Sequence, residues 1–438
     1  MSPLSLALAL QVAATPLTLD EVRDASKQQL DAIRSQIAYE RAGTQQDTAR
    51  AAILPQVNLN FGLGAVFVGP QRQFLSFPDP NTGDLVQTVR DVNNSFLRGN
   101  FNLGLQVQQL LYDGGRWWTQ LALTGAQTEA AEGQLKEQQL ASELEATRRF
   151  YSLVKAQLAL KVLNETVSRS REQLERAKAL YEAGRGTRGA VYDATTNLGN
   201  DEINVVRQRQ AIVAARLSLL QWIGRTDADV EAVPPTELTQ PGPAVAVDES
   251  VEQGRKQRPL FKSLQATVRA SELAITSARA DYFPSLSVSA GYTRNSPSAD
   301  PFFTDFSRQH QLSAGVNMSW NLFSGLSHLA NEDRAKLDLR RAQAEQKQSL
   351  IDLETEIRTA VQSEATEREV LSIAERNLGQ AEEQAKLEEE RFAAGSGSSL
   401  EVRNAQIKYT QAQLSVLQGR ADVATARAAL SRAVGGTQ

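Results

Sequence analysis

The stretch LGLQVQQLLYDGG at Leu103–Gly115 returns in altered form as AGVNMSWNLFSGL at Ala314–Leu326. In both copies, apolar and polar residues alternate ahead of a glycine, and a long stretch without proline follows. Gly104 of the first copy corresponds to Gly315 of the second, which sets the offset between the copies at 211 residues.

A second match lies farther along the chain at the same offset. EAGRGTRGAVYDAT from Glu182 corresponds to AAGSGSSLEVRNAQ from Ala393, which aligns Gly184 with Gly395. Two matched segments with one spacing indicate an internal duplication, in which each copy repeats one unit of strands and helices.

Composition excludes several classes of function. The 438 residues include 47 basic and 51 acidic side chains, a net charge of −4, and the two signs are interspersed, which gives nucleic acid no basic surface to bind. Without cysteine the chain has no disulfide, thiolate metal ligand or cysteine nucleophile. Only two histidines are present, so metal chemistry is not expected.

Residues 1–16 resemble a secretory signal. Leu4–Ala14 is apolar and ends in small residues, although no lysine or arginine precedes Arg23. The alternative is an apolar N-terminus without a targeting role. No later run reaches the roughly 18 uncharged apolar residues of a membrane-spanning helix, so strands would have to cross any bilayer.

Four segments alternate apolar and polar residues with a period of two, which predicts strands. The polar positions are mostly Gln, Asn, Ser, Thr and Gly, which suit a water-filled lumen, and the alternation is typical of membrane β-barrels. A soluble sheet whose apolar face covers a core remains an alternative. The predicted strands span about 56–68 and 97–111 in the first copy and about 285–293 and 310–323 in the second.

Four strands are too few to close a barrel. An open sheet edge in lipid leaves backbone groups unpaired, at a cost of several kcal/mol each, and the smallest membrane barrels have about eight strands. If these strands span a membrane, several chains must therefore pool them. Aromatic residues near the helix-side strand ends predict a girdle at the membrane interface. They are Tyr112, Trp117, Trp118, Trp320 and Phe323.

The segments around Gly184 and Gly395 are called the glycine turns below. The long proline-free stretch between the strands and the glycine turn of each copy predicts a helix of about 100 Å. The seam of the second long helix alternates steps of three and four residues, as in a coiled coil. The seam includes Glu364, Glu367 and Glu388, which predicts that part of it faces water or another chain.

Each copy is predicted to contain an entry helix, its strands, a long helix and a return helix. A proline-rich linker at 224–248 separates the first copy, 17–223, from the second, 249–438. It is expected to be equatorial, that is, to lie near the middle of the long helices. The entry helices are expected at 17–54 and 249–283, the long helices at 115–183 and 325–394, and the return helices at 190–223 and 400–434.

The first glycine turn matches the dinucleotide-binding pattern, but its context does not support that function. GRGTRG at Gly184–Gly189 matches G-x-G-x-x-G, but a helix rather than a strand precedes it, and the second copy lacks the third glycine. Helix C-caps at Gly184 and Gly395, followed by N-caps such as Thr187, explain the sequence more simply. No catalytic or cofactor motif is present, so neither an enzyme nor a cofactor is expected.

The chain resembles the TolC-like outer-membrane efflux family over most of its length. The resemblance is carried by PLTLDEV near the start, ILPQVNL and YFPSLSV entering strands, LLYDGG and NLFSGL leaving them, and the two glycine turns. It implies a mainly α fold with a small β part. Three chains would form one 12-stranded β-barrel, continuous with an α-helical periplasmic barrel.

The resemblance also implies roles for particular residues. The glycine turns would form the periplasmic tip where an adaptor protein docks, through Gly184, Gly186, Gly395 and Gly397. The pore gate would comprise Tyr181, Asp193, Phe392, Glu401 and Asn404. Ala190 and Asn404 carry no charge at positions that correspond to Glu401 and Asp193, so an acidic ring would be incomplete.

The predicted function is a passive exit duct of a tripartite efflux or type I secretion system in the outer membrane of a Gram-negative bacterium. Its partners would be two further copies of the chain, outer-membrane lipid, a periplasmic adaptor (membrane-fusion) protein and, through it, an inner-membrane transporter. The alternatives are a coiled-coil scaffold without a channel and a surface structural protein such as an adhesin.

Overall fold

The computed structural model describes residues 15–78, 85–92, 95–226, 230–238, 246–304 and 310–436. These residues form two compact units. One contains the chain up to Ala42, Gln127–Val268 and the chain from Arg341, and the other contains Gly43–Ala126 and Arg269–Arg340. Each unit therefore takes segments from both sequence copies, whereas the division predicted from the sequence lies at the copy boundary.

The second unit contains an antiparallel sheet of four strands. Its register places residues of one character in rows across the sheet. Leu59, Leu105, Tyr292 and Leu312 form one apolar row. In their order across the sheet, the strands are β2 (Gln56–Val68), β5 (Phe96–Asp113), β7 (Ser285–Ser296) and β8 (His310–Ser319).

The strand bounds differ from the predicted ones mainly at β8, which ends at Ser319 rather than at 323. The loop between β2 and β5 contains a further antiparallel hairpin, β3 (Gln71–Pro78) and β4 (Leu85–Val92). A short helix α7 (Ala299–Thr304) lies between β7 and β8. Neither feature is among those predicted from the sequence.

Both copies contain a long helix and a shorter return helix. The long helices, α3 (Arg116–Glu182) and α8 (Ser327–Ala393), have 67 residues each. The return helices, α4 (Arg188–Trp222) and α9 (Ser399–Val434), have 35 and 36 residues.

The first entry helix is interrupted, where the sequence analysis expects one helix over 17–54. The segment begins with strand β1 (Thr15–Leu17) and continues as α1 (Leu19–Ser26) and α2 (Leu30–Ala51). Thr18 starts α1 because its hydroxyl accepts a hydrogen bond from the Glu21 backbone, while the Glu21 carboxylate accepts one from the Thr18 backbone.

The second entry helix, expected over 249–283, is also divided. Helices α5 (Val247–Gln257) and α6 (Pro259–Arg279) meet at Arg258, which is extended because it precedes a proline. The Arg258 side chain is buried and donates hydrogen bonds to Glu137 and Glu356. Burial alone would lower the pKa of Arg258, but these hydrogen bonds raise it overall, so the guanidinium stays charged.

The proline-rich segment at 224–248 is more than a linker. Strand β6 (Val230–Ala232) pairs in parallel with β1. Val230, Ala232 and Leu238 are buried in a cluster with residues of α1, α3 and α4, including Phe150 of α3. Pro241 and Pro243, which support the linker prediction, lie outside the described residues, as do residues 1–14 of the signal-like segment.

The seam between α8 and α9 is apolar, with Leu353, Ile357 and Leu371 among its buried residues. The prediction that its glutamates face water or another chain is wrong for Glu364. Its side chain is 3% exposed and is paired with Arg368, one turn farther along α8. Within the described residues, no helix combines the length and apolar character needed to cross a membrane.

Candidate functional site

The first glycine turn is a Schellman motif at the end of α3. Gly184 has a φ of +68° and donates a backbone hydrogen bond to the Tyr181 carbonyl at 3.0 Å. The next residue, Arg185, donates to the Leu180 carbonyl at 2.8 Å. These bonds satisfy carbonyls that the helix end would otherwise leave unpaired, and the left-handed φ explains the glycine.

The second turn repeats this geometry at the end of α8. Gly395 has a φ of +76° and donates to the Phe392 carbonyl at 3.0 Å. Ser396 donates to the Arg391 carbonyl at 2.8 Å. The C-caps predicted at Gly184 and Gly395 are thus present.

The second glycine of each turn lies against the last turn of its long helix. A Cβ on Gly186 would approach the Tyr181 backbone nitrogen at 3.0 Å, and one on Gly397 would approach the Phe392 nitrogen at 3.1 Å. Gly186 and Gly397 therefore permit a close backbone approach, whereas Gly184 and Gly395 supply the left-handed conformation.

The return helices begin with N-caps that differ between the copies. The Thr187 hydroxyl accepts a hydrogen bond from the Ala190 backbone, and the Ser398 hydroxyl accepts one from the Glu401 backbone. The Glu401 carboxylate also accepts a bond from the Ser398 backbone at 2.8 Å, which completes a capping box. That backbone hydrogen bond lowers the pKa of Glu401.

The residues predicted to form a pore gate lie around the two turns. Tyr181 and Phe392 are on the last turns of α3 and α8, with Tyr181 exposed and Phe392 half-buried. Asp193, Glu401 and Asn404 are exposed on the first two turns of α4 and α9. Since Glu401 also caps a helix, it has a structural task in addition to the predicted one. Their role as a gate stays a prediction.

A polar cluster that is not predicted from the sequence joins the two copies. Asp201 of α4 and Arg403 of α9 form a pair with two hydrogen bonds, at 2.7 and 2.9 Å. Ser170 of α3 donates to Asp201 at 2.5 Å and accepts a bond from Arg403 at 3.1 Å. The sequence offers one signal for this cluster. Asp201 is a charged residue four positions before the apolar Val205, on the buried face of α4.

The predicted aromatic girdle is in the unit that contains the sheet. The rings of Trp117 and Trp118 stack with centroids 3.8 Å apart at the start of α3. The Trp320 indole donates to the Tyr282 carbonyl at 3.1 Å. Apart from Trp117, which is half-buried, the predicted girdle residues are exposed. They are Tyr112, Trp118, Trp320 and Phe323.

The apolar face of the sheet is largely uncovered by the chain itself. Leu59 of β2 is 69% exposed and Leu312 of β8 is 78% exposed. At one end, Phe302 of α7 packs against Phe61 and Phe101, and this contact covers only part of the face. Large contiguous apolar surfaces of this kind mark contact with a membrane or another protein.

Within the described part of the chain, no group of three or more His, Cys, Asp or Glu residues is arranged to hold a metal ion. The charged side chains there mostly form ion pairs along helix surfaces, such as Lys386 with Glu382 at 3.0 Å.

Comparison with known structures identifies the same fold. The Campylobacter jejuni outer-membrane channel CmeC matches with a TM-score of 0.73 at 18% identity, over 95% of this chain and 85% of CmeC. The Neisseria gonorrhoeae outer-membrane channel MtrE, in its open state, matches with a TM-score of 0.74 at 17% identity, over 95% of this chain and 89% of MtrE.

Among curated proteins, the fusaric acid resistance protein FusA of Burkholderia cepacia is 26% identical over 288 residues. The match covers 63% of this chain and spans half the length of FusA.

The family model for outer membrane efflux proteins matches residues 22–225 and 251–436, one segment in each sequence copy. This match confirms the resemblance drawn from the strand and turn motifs. The chain belongs to the outer membrane efflux protein family.

Proposed function

We propose that the protein is an exit duct in the outer membrane of a Gram-negative bacterium, built from three copies of the chain. Each copy would contribute its four strands to a 12-stranded barrel, and the long helices would continue the conduit across the periplasm. Family membership supports the efflux role.

The observation that carries this proposal is the exposed apolar row on an open sheet. Within the described residues, β2 and β8 each have a neighbour strand on one side only. Because all three pairings in the sheet are antiparallel, β2 and β8 run in opposite directions. The β8 edge of one copy can therefore pair antiparallel with β2 of the next, which removes edges that lipid does not tolerate.

The two faces of such a barrel match their surroundings. The apolar row of Leu59, Leu105 and Leu312 would face lipid, and the neighbouring row that includes Asn60 and Gln311 would face a water-filled lumen. The exposed Trp118 and Phe323 would lie at the membrane interface, where aromatic girdles are found.

The glycine turns at Gly184 and Gly395 are proposed as the periplasmic tip and the docking point of an adaptor protein. Because the duct is passive, the energy for export would come from an inner-membrane transporter. The adaptor would connect this transporter to the duct. Opening would loosen the helices around Tyr181 and Phe392, and solute would diffuse through the lumen. No catalytic step is required of this chain.

Cargo is proposed from the relative alone. The Burkholderia cepacia protein is named for resistance to fusaric acid, so this acid is the first cargo to test. Deleting the gene should lower the concentration of fusaric acid that stops growth, and the intact gene should restore it.

The channel itself is tested with purified protein in planar bilayers. The proposal predicts discrete conductance steps, because an open barrel passes ions. A non-channel scaffold would give no conductance steps. Protein that is extracted from the cells without detergent and shows no conductance would contradict the proposal.

A further inference from the structure

A groove lies over the end of α6 in the unit that contains the sheet. Helix α3 forms one wall of this groove, and helix α8 forms the other. Its volume is about 390 Å³, which is in the range of sites for small molecules. The groove includes none of the residues assigned above to the tip, the gate or the girdle.

The floor of the groove consists of small side chains. Ala274, Ser277 and Ala278 of α6 are half-buried, and their small size leaves the space above α6 open. Leu123 of α3 and Ala335 of α8 continue this surface on the two walls. Apart from the Ser277 hydroxyl, these side chains offer a ligand apolar contact and no hydrogen bond.

The rim of the groove is charged. Arg116 of α3 forms an ion pair with Asp281, which follows α6. Asp338 of α8 has a partner of its own. Within the described part of the chain, the exposed Arg334 of α8 forms no ion pair and no side-chain hydrogen bond. Among these charged groups, the Arg334 guanidinium is therefore available to a ligand.

Helix α6 is flanked on both sides by helices of its own chain. On one side, Arg116 of α3 pairs with Asp281. On the other side, Arg279 at the end of α6 donates a hydrogen bond to Glu332 of α8 at 3.1 Å. The groove over α6 therefore faces either the inside or the outside of the proposed duct, and not a neighbouring copy.

The position of Trp118 on α3 distinguishes these two directions. Successive residues of an α-helix are rotated by about 100°, so Arg116 lies about 160° around α3 from Trp118. By the same geometry, Leu123 lies about 140° from Trp118. Trp118 is 65% exposed and belongs to the predicted girdle. If the girdle faces lipid, the groove side of α3 faces the lumen.

Helix α8 indicates the same direction. Glu332 accepts a hydrogen bond from the Tyr282 hydroxyl, and the Tyr282 carbonyl accepts one from the indole of Trp320, a girdle residue. Glu332 is therefore on the girdle side of α8. Arg334 lies about 160° around the helix from Glu332. Both walls thus place the groove on the side opposite the girdle.

The fold itself does not require the free charge in the groove. By the offset between the copies, Leu123 of α3 corresponds to Arg334 of α8, and Gln127 corresponds to Asp338. The long helix of the first copy therefore forms with leucine at this position. Contact with an anion gives the arginine of the second copy a task that helix formation does not.

We propose that this groove is a contact site for cargo inside the duct, and that it takes small organic anions with an apolar body. The carboxylate of such a molecule would meet the Arg334 guanidinium, whose planar geometry fits two parallel hydrogen bonds. The apolar part would lie on Ala274 and Ala278. The proposal rests on the trimeric duct and names a class of cargo for it. Three chains would place three such grooves around the lumen.

The exposure of Arg334 suits a conduit. An ion pair that stays in contact with water strengthens binding by about fivefold at most. Conduction requires contacts that are favourable enough for solute to enter and weak enough for it to leave. The groove would concentrate such anions along the wall of the duct without retaining them.

Ion selectivity in planar bilayers tests whether Arg334 faces the lumen. In a gradient of potassium chloride, Arg334→Gln should shift the reversal potential towards cation selectivity, because it removes a positive charge from the wall. The matched control is Arg340→Gln. Arg340 is also exposed on α8, about 120° around the helix from Arg334, and its loss should leave the reversal potential unchanged.

Block of the current by benzoate tests the groove as a binding site. Benzoate should lower the current through the channel more than benzamide, which has the same ring but no charge. Arg334→Gln should weaken the effect of benzoate by about fivefold and leave that of benzamide unchanged. Ala335→Leu fills the groove without changing its charge, so it should weaken the effect of benzoate without shifting the reversal potential.

The outcomes separate the groove from the duct. Equal reversal potentials in Arg334→Gln and Arg340→Gln would show that Arg334 does not face the lumen and would overturn the proposal. A benzoate effect that is the same in the natural chain, Arg334→Gln and Ala335→Leu would also overturn it. In both cases the duct stands, because the channel conducts. A natural chain without conductance steps would instead contradict the duct itself.

Discussion

The carboxylate of Asp201 on α4 and the guanidinium of Arg403 on α9 form a two-bond ion pair across the boundary between the sequence copies. Their side chains are 8% and 12% exposed. The pair has no counterpart by duplication, because Ala412 and Tyr192 occupy the corresponding positions. It therefore fixes the relative placement of α4 and α9, which the repeat pattern alone leaves free.

Replacing Asp201 with Ala should destabilise this unit by about 3 kcal/mol, because it leaves Arg403 charged and poorly paired in a buried position. Thermal unfolding of the purified protein measures the loss. Glu202→Ala is the matched control, since the neighbouring pair of Glu202 with Arg171 is exposed at 3.6 Å. Exposed pairs contribute about 0–1 kcal/mol, and an equal loss in both variants would contradict the role assigned to Asp201.

Alanine substitutions of two glycines in the same stretch of chain should have opposite effects. Gly395→Ala should destabilise the protein by about 1 kcal/mol, since alanine disfavours the left-handed φ of +76°. Gly379→Ala, inside α8, should be neutral or stabilising by up to about 1 kcal/mol, because its Cβ would meet nothing within 4 Å. Unfolding experiments compare the two variants.

At the level of function, Gly395→Val should reduce resistance to exported compounds while the variant still assembles at its normal mass. A β-branched residue strains the left-handed position further and distorts the tip. Normal resistance in Gly395→Val and in Gly184→Val would argue against the glycine turns as the docking tip.

The capping box of Glu401 should depend on pH. Its pKa is lowered in the folded state by the hydrogen bond from the Ser398 backbone. The stabilisation is therefore present above the ordinary pKa of a glutamate and is lost as the pH falls through the lowered folded value. Hydrogen exchange at the start of α9 should be faster in Glu401→Ala than in the natural chain at pH 7, and this difference should be smaller at pH 3.

The first copy provides an internal control for this titration. Ala190 stands where Glu401 does in the second copy, so the start of α4 has no carboxylate in its cap. Its exchange should not differ between the natural chain and Glu401→Ala at either pH. A difference at the start of α9 that is as large at pH 3 as at pH 7 would show that Glu401 acts by something other than its charge.

Lysine substitutions on β8 distinguish the two faces of the sheet. Leu312→Lys should cost about 2–4 kcal/mol if its face meets the middle of the bilayer, and should lower the yield of protein in the outer membrane. Gln311→Lys, on the opposite face, should leave the yield nearly unchanged, because that face is proposed to line a wet lumen. Equal yields for both variants would contradict the assignment of faces.

The sequence is most informative where the cause of structure is local. The period-two alternation from Gln56 predicts β2, because successive side chains of a strand point to opposite faces. The glycine at 184 predicts the C-cap of α3, because glycine adopts a left-handed φ without strain. The structure places β2 at Gln56–Val68 and gives Gly184 a φ of +68°.

The features that the sequence does not reveal depend on distant partners. Strand β1 becomes a strand because it pairs with β6, more than two hundred residues later, and three residues carry no periodic signal. Glu364 is a different case, because its partner Arg368 is only one turn away, and the spacing of four residues does not distinguish a buried ion pair from an exposed one. The break of the second entry helix at Arg258 is an exception, because Pro259 lies inside the expected helix and disfavours helical backbone at the residue before it, so the sequence does indicate this break.

The central claim is that three chains share one barrel, and the mass of the detergent-purified protein tests it most directly. Light scattering corrected for bound detergent should give three times the chain mass of 47.9 kDa. A single, uniform species of 47.9 kDa that stays in solution without detergent would contradict the account.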